Sequence, residues 1–173
     1  DLSGALPLPN AGDGISMGYA SSHNTIGGST PGARNLISGN GGDGIHVDCN
    51  DVVRNTILGN YIGTDISGAT PIGNAGHGVS LGCFAQQNLI TSNLVSGNGI
   101  TGITISGFGT ISNTVSQNSI YANSGLGIDL VDGGNTELSA PVVLAYDTTA
   151  GTASGIACPG CTVELFSADD DEG

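Results

Sequence analysis

One complete turn of the repeat that decides the fold reads Asn88-Leu-Ile-Thr-Ser-Asn93-Leu-Val-Ser-Gly-Asn98-Gly-Ile-Thr-Gly102-Ile-Thr-Ile105. Three short apolar segments each follow an asparagine or a glycine, and the asparagines are five residues apart. The final tetrapeptide, Gly-[Ile/Val]-x-[Met/Val/Leu/Ile], occurs five times, beginning at Gly14, Gly44, Gly78, Gly102 and Gly127. Repetition at intervals of about 20–50 residues is the signature of a solenoid.

The five copies are 30, 34, 24 and 25 residues apart, and two insertions explain the uneven spacing. In the first interval the distance from Asn24 to Asn35 is eleven residues instead of five, and in the second the distance from Asn60 to Asn74 is fourteen. Without the extra residues, which fall around 27–34 and 63–73, every interval becomes 24 or 25 residues long. The chain therefore has a constant coil length.

A coil of this length with three short strands predicts an all-β fold, a parallel β-helix of about five coils, because alternate apolar residues mark strands with one buried face. Turns every five residues disfavour a β-sandwich or propeller, which need hairpins every 8–12 residues or so. The predicted inward columns are Ile15/Ile45/Val79/Ile103/Ile128, Met17/Val47/Leu81/Ile105/Leu130, Ile26/Ile57/Ile90/Val115 and Ile37/Ile62/Val95/Ile120.

Asparagine is predicted at the corners of the coils, since it tolerates left-handed backbone and bonds to nearby main chain. Stacked asparagine side chains also bond along the axis in ladders. The three predicted ladders are Asn24/Asn55/Asn88/Asn113, Asn35/Asn60/Asn93/Asn118 and Asn40/Asn74/Asn98/Asn123.

The chain changes character near its C-terminal end. We expect the β-helix over residues 1–132, a linker over 133–140 and a short C-terminal β segment over 141–173 with strands at 141–144, 152–156 and 162–166. That segment is either the start of a further module or a cap on the β-helix. Residues 1–14 align without gaps on 65–78, where a strand precedes the insertion, so we also expect that residue 1 is not the natural start.

The composition is strongly acidic, with 15 Asp and Glu, two Arg, no Lys and a formal net charge of −13. This balance argues against a nucleic-acid partner, whose binding needs clustered Lys or Arg, and against anionic membrane surfaces. No apolar run is long enough for a membrane span. We expect an extracellular or cell-surface protein.

The four cysteines form two sequence pairs. Cys49 and Cys83 each lie five residues after the glycine of their repeat, in consecutive coils, which favours a disulfide over two stacked buried thiols. Cys158 and Cys161 flank a Pro-Gly turn, which favours a small loop disulfide over half of a redox or metal site. Both pairs indicate an oxidising compartment.

The repeats resemble those of right-handed parallel β-helix proteins of the pectate-lyase-like superfamily. The matching stretches are the Gly-Ile strands, Asn35-Leu-Ile-Ser-Gly-Asn40 and Asn55-Thr-Ile-Leu-Gly-Asn60-Tyr-Ile-Gly-Thr-Asp65-Ile-Ser-Gly68. The resemblance implies a right-handed helix. Its superfamily includes polysaccharide lyases, galacturonan hydrolases and uronate epimerases. Residues 155–166, Gly-Ile-Ala-Cys-Pro-Gly-Cys-Thr-Val-Glu-Leu-Phe, look like the opening of a bacterial immunoglobulin-like module.

Evidence for catalysis is weak. A hydrolase needs carboxylates grouped on one face, but the outward column of the Gly-Ile strands reads Ser16, His46, Ser80, Thr104 and Asp129. His46 with Asp48 is the one candidate acid–base pair, and the simpler explanation is that both are polar neighbours on a strand face exposed to water. We therefore lean towards a protein that is not an enzyme.

A bound Ca²⁺ is the one cofactor considered. Asp13 and Asp43 occupy the same position before their strands, and Asn40-Gly-Gly-Asp-Gly44 is similar to a single calcium-binding repeat. The six to eight oxygen ligands that Ca²⁺ takes cannot be counted from the sequence.

Two functions from different classes remain. The first is a structural or adhesive segment of a long extracellular protein, which stacks on further β-helix repeats of the same protein or of neighbouring copies and forms filaments. The second is a β-helix that binds or cleaves a polysaccharide in a groove built by insertions 27–34 and 63–73.

Overall fold

The computed structural model describes residues 3–48, 51–160 and 162–164. The chain divides into two compact units, Asp1–Glu137 and Leu138–Gly173. The strands of the first unit are β1 Ile15–Met17, β2 Thr25–Gly27, β3 Leu36–Ile37, β4 Ile45–Val47, β5 Thr56–Leu58, β6 Tyr61–Ile62, β7 Val79–Leu81, β8 Leu89–Thr91, β9 Leu94–Ser96, β10 Ile103–Ser106, β11 Thr114–Ser116, β12 Ser119–Tyr121 and β13 Ile128–Val131.

These strands form three parallel sheets; each of the first four coils contributes one strand to each sheet, and β13 adds a fifth strand to the first sheet. The first sheet has the order β1-β4-β7-β10-β13, the second β2-β5-β8-β11 and the third β3-β6-β9-β12. Pairing is in register, so that Ile45 lies opposite Val79 and Val79 opposite Ile103. The predicted parallel β-helix is confirmed, with neighbouring coils separated by the usual strand spacing of about 4.8 Å.

The core is the stack of inward aliphatic columns. Ile45, Val79 and Ile103 have no exposed surface, and the other columns continue the same hydrophobic cluster. Exposure rises in the outermost coils, where Ile128 is 47% exposed, because an outermost residue has a neighbouring coil on one side only. Burial of stacked methyl and methylene groups supplies the main drive for the fold, since stabilisation follows the apolar area removed from water.

The corners are held by three asparagine ladders. In a typical rung, an asparagine donates its main-chain N–H and one Nδ2 hydrogen to Oδ1 of the asparagine in the next coil, as Asn60 does to Asn93 at 2.9 and 3.0 Å. The second Nδ2 hydrogen goes back to a main-chain carbonyl of the preceding coil, for Asn60 that of Ile26 at 3.0 Å. Among the described residues, Asn113 donates only its main-chain N–H to Asn135, at 3.0 Å. The ladders run Asn24-Asn55-Asn88-Asn113-Asn135, Asn35-Asn60-Asn93-Asn118 and Asn10-Asn40-Asn74-Asn98-Asn123.

A residue in the left-handed region precedes most ladder asparagines. It turns the chain so that the next asparagine side chain points into the stack. Glycine serves at Gly59 and Gly97, but several coils use residues with a Cβ. These are His23 (φ 59°), Arg54 (57°), Gln87 (55°), Ser92 (55°), Ser112 (60°), Gln117 (57°) and Ala122 (50°). A non-glycine residue in this region costs about 1–2 kcal/mol.

Replacing Ala122 by glycine is expected to stabilise the protein by about 0.5–1 kcal/mol, because Ala122 is exposed and has φ of 50° and glycine adopts that conformation without strain. Urea denaturation followed by circular dichroism measures the change. Ala5→Gly, at an exposed position without positive φ, should lower stability slightly. A loss at both positions would contradict the argument.

The second unit contains an antiparallel hairpin of β14, Val142–Asp147, and β15, Thr152–Ile156. The third strand expected at 162–166 is not present over residues 162–164, which have no regular structure, and residues 165–166 lie outside the described part. Short 3₁₀ segments occur at Pro31–Ala33 and Gly134–Glu137. In the described ranges, no helix has the length and apolar character needed to cross a bilayer.

Candidate functional site

The outward face of the first sheet carries a group of three neighbouring titratable side chains. His46, in the middle of β4, lies between two carboxylates. Its Nδ1 is 3.1 Å from Oδ2 of Asp43, and its Nε2 is 3.9 Å from Oδ1 of Asp48. The side chain of Asp43 is 14% exposed, that of His46 33% and that of Asp48 51%. The carboxylate closer to the imidazole, that of Asp43, is thus also the more buried of the two.

Asp43 belongs to a second column, in which the residue before each strand glycine bonds to the next coil. Oδ1 of Asp13 accepts a hydrogen bond from the main-chain N–H of Asp43 at 2.8 Å, and Oδ1 of Asp43 accepts one from that of His77 at 2.7 Å. Nδ1 of His77 is hydrogen-bonded in turn to Oγ1 of Thr101. This polar column joins four coils.

Both residues considered for calcium therefore have one carboxylate oxygen engaged by backbone. Over residues 3–48, 51–160 and 162–164, no three His, Cys, Asp or Glu side chains are grouped as metal ligands would be. Calcium at Asp13 and Asp43 stays a prediction, and its binding would compete with hydrogen bonds that join the coils.

The outward column of the first sheet offers His46 hydroxyl neighbours on the adjacent strands. Ser16 and Ser80 lie opposite His46 in register. Thr104, which the sequence placed in this outward column, is only 5% exposed, and Asp129 lies one strand beyond it. Asp129 and His46 are three strands apart, on β13 and β4, which at about 4.8 Å per strand leaves no direct contact.

The two corner insertions meet at the third sheet. The guanidinium carbon of Arg34, at the end of the first insertion, lies 3.8 Å from the ring centroid of Tyr61. In the second insertion, a Cβ placed on Gly68 would lie 3.2 Å from Cε2 of Tyr61, and the hydroxyl of Tyr121 donates to the carbonyl of Gly68 at 3.0 Å. Both insertions contact the same ring, so Tyr61 fills the space between Arg34 of the first insertion and Gly68 of the second.

Asp65 closes the turn of the second insertion. Its Oδ1 accepts hydrogen bonds from Oγ of Ser67 at 2.6 Å and from the main-chain N–H groups of Ser67 and Thr70 at 3.1 and 3.2 Å. The pKa of Asp65 is lowered from 3.8 to about 2. The hydrogen bond from the Ser67 hydroxyl is the largest cause, and the two backbone hydrogen bonds lower the pKa further.

We expect acid to release this turn. Since the folded pKa of Asp65 lies below its unfolded value, the contribution to stability is complete above pH of about 4 and is lost as the pH falls through about 2. Ser67→Ala should raise the pKa of Asp65 towards 3.8, as measured by carboxyl ¹³C NMR titration. Ser119→Ala, on β12, is the control and should leave it unchanged; an unaltered pKa in Ser67→Ala would refute the assignment.

Two of the four cysteines fall in the described residues, and both Cys83 and Cys158 are disulfide-bonded. Cys49 and Cys161 lie outside the described residues, so the pairings Cys49–Cys83 and Cys158–Cys161 stay predictions.

Two features of the surface were missed from the sequence. The first is that Asp43 is the carboxylate closer to His46. The two residues are three positions apart, and the bend of the backbone between them brings their side chains together. The second is a set of exposed aromatic residues in the turns that follow strands of the first sheet: Tyr19, Phe84 and Phe108 are 87%, 58% and 83% exposed. Phe84 and Phe108 each lie three residues after an inward residue, Leu81 or Ile105, and that shared offset is the signal that could have revealed them.

Comparison with known proteins agrees with the coil geometry. The sequence profile of the right-handed β-helix region matches residues 9–144, and the chain belongs to this family. A search of curated proteins finds no match, and a search of solved structures finds none. The family establishes the fold and its handedness, and it leaves the function to be argued from the chain's own residues.

Proposed function

We propose that this chain is a non-catalytic structural segment of a long extracellular or cell-surface protein, in which the β-helix is a stiff spacer built to stack on further coils. The observation that carries the proposal is the continuity of the hydrogen bonds between coils. Each of the three ladders repeats the same donors and acceptors over at least three successive rungs, as Asn35, Asn60 and Asn93 do, and the column from Asp13 to Thr101 adds a fourth line of contacts.

The use of polar side chains supports a structural role. Asp13 and Asp43 each hold the main chain of the next coil through one carboxylate oxygen. That oxygen is occupied by a contact between coils and not by a substrate. His46 continues this pattern, because its Nδ1 bonds to the already anchored Asp43.

We propose that the stacking partner is a further coil of the same repeat, from the same protein or from a neighbouring copy. The chemistry of the ladders supports this, because Oδ1 of a ladder asparagine accepts the main-chain N–H and an Nδ2 hydrogen of the asparagine one coil away, as Oδ1 of Asn60 accepts those of Asn35.

An extracellular location is supported by the cysteines and by the charge. Cys83 and Cys158 are in disulfides, which persist in oxidising compartments. A net charge of −13 without any lysine keeps such a surface soluble and free of nucleic-acid binding.

A comparison of wild type with His46→Ala tests the proposal on a panel of neutral and uronate polysaccharides. We expect no reducing ends and no unsaturated uronates from either protein beyond the blank. Single-molecule pulling of the wild-type chain should show one cooperative unfolding event at high force, because coils joined by the same ladders open together. Turnover that His46→Ala or Asp48→Asn abolishes at unchanged melting temperature would replace the structural proposal by an enzymatic one.

A further inference from the structure

We propose that the corner following the first sheet binds an extended basic segment of another protein. The surface, called here the aromatic corner, consists of Tyr19, Phe84 and Phe108 with the acidic residues Asp48, Asp51 and Asp132.

The order of these residues along the axis is the starting observation. β1, β4, β7, β10 and β13 lie side by side in the first sheet, and the residues that follow each strand continue that order. Tyr19 follows β1, Asp48 and Asp51 follow β4, Phe84 follows β7, Phe108 follows β10 and Asp132 follows β13. Five consecutive coils therefore present an aromatic ring, a pair of carboxylates, two aromatic rings and a carboxylate.

The rings of Phe84 and Phe108 lie against backbone that has no side chain. A Cβ added to Gly109 would collide with the ring of Phe84, and one added to Gly133 would lie 2.7 Å from Cδ1 of Phe108. Each of these two rings thus covers a glycine of the following coil. Tyr19 and Phe84 also have positive φ, 48° and 70°, so the chain keeps bulky residues in a conformation that favours glycine.

The exposure of the rings shows that they do not serve the core. An 83% exposed Phe108 and an 87% exposed Tyr19 leave most of their apolar surface in water, and exposed apolar surface arranged as a patch marks interaction sites. These residues, one or two in each coil, span four coil spacings, about 19 Å. That is the length of about six residues of extended chain, and it is too narrow for a broad globular interface of about 800 Å² per partner.

Charge selects the occupant. An Arg or Lys side chain over an aromatic face is attracted by the ring quadrupole, and the neighbouring carboxylates pair with the same cation. Arg54 follows Asp51 in the same coil, but its Nε donates to Oε1 of Gln87 at 2.9 Å. The net charge of −13 steers a basic partner towards the protein and repels phosphate or uronate polymers.

The test uses a fluorescent ten-residue Arg-Gly repeat peptide, with a Glu-Gly peptide of equal length as the probe control. Fluorescence anisotropy should show binding of the basic peptide alone, and the affinity should fall as salt is raised. Phe108→Leu keeps apolar bulk and removes the ring; it should weaken binding about threefold. Adding Asp132→Asn should bring the loss to about tenfold.

Matched variants separate this surface from general charge and from misfolding. Tyr146→Leu removes a ring that is 77% exposed in β14, and Asp129→Asn removes one negative charge from the first sheet; both should bind as wild type. Phe84→Tyr retains a ring and should retain affinity, while circular dichroism checks the fold of every variant.

Several results would overturn the proposal. They are absence of binding by wild type, equal losses in Asp129→Asn and Asp132→Asn, and unchanged affinity in Phe108→Leu. Self-association that Phe108→Leu abolishes would assign the corner to a second copy of this chain. Salt-independent retention on neutral polysaccharide beads that depends on Phe108 would assign it to a glycan.

Discussion

Asn60→Ala is expected to lower the free energy of unfolding by about 3–5 kcal/mol, a large share of the roughly 5–15 kcal/mol that folded domains have. Asn60 is completely buried, and its side chain makes four hydrogen bonds. Oδ1 accepts from the N–H and Nδ2 of Asn35, and Nδ2 donates to Ile26 and Asn93. Alanine leaves these partners buried without their bonds.

Urea denaturation of the isolated chain, followed by circular dichroism, measures the loss. Asn24→Ala is the matched control, because Asn24 is an exposed asparagine in a neighbouring ladder whose side chain donates one bond, to Oδ1 of Asn55 at 3.0 Å. We expect it to cost about 1 kcal/mol. Equal losses at the two positions would mean that the buried ladder does not stabilise the stack.

Gly63→Ala is expected to destabilise the protein at least as much as Asn60→Ala does. The free energy of unfolding should fall by about 3–6 kcal/mol, from backbone strain and overpacking together. Gly63 is buried and has φ of 90°. A Cβ there would collide with the main-chain oxygen of Ser96 and would lie 2.8 Å from Cγ of Asn98. Both atoms belong to the neighbouring coil, so the methyl group would force two coils apart.

Gly107→Ala isolates the contribution of that contact. Gly107 has φ of 89°, nearly the same as Gly63, but the nearest atom to an added Cβ is Oγ1 of Thr110 at 3.9 Å. It should lose only the strain, about 1–2 kcal/mol. Melting temperatures of the two variants give the difference. A Gly63→Ala protein as stable as Gly107→Ala would show that the coils are not in the close contact described.

The coil architecture could be predicted because each coil repeats the same local choices. The inward columns through Ile45, Val79 and Ile103 follow from period-two alternation, and the corner positions follow from the spacing of asparagines. Asn135, which extends one ladder, escaped the sequence pattern, because it comes one coil after Asn113 but only 22 residues on. Asn10 was left out of the predicted ladders, although the alignment of residues 1–14 on 65–78 places it on Asn74.

The surface was harder to predict than the core. Burial imposes an apolar side chain at each inward position, whereas an outward position accepts almost any residue, so its identity carries little information about its neighbours. The bond from His46 to Asp43 depends on how the corner bends the chain, and the aromatic corner depends on residues in separate coils. Thr104 shows the reverse case, in which a polar residue on an outward position is nevertheless covered.

The asparagine ladders have a direction, since at each rung the main-chain N–H is donated to the next coil while Oδ1 accepts from the preceding one, as Asn60 donates to Asn93 and accepts from Asn35. The two ends of any stack are therefore chemically different, because one presents Oδ1 acceptors and the other presents N–H donors. A segment copied within the gene joins its neighbours only when it enters in the same sense and carries a whole number of turns. Residues 1–14 are similar to residues 65–78, which lie two turns further along the chain. Such a similarity is the expected result if the β-helix was lengthened by duplication of a two-turn segment.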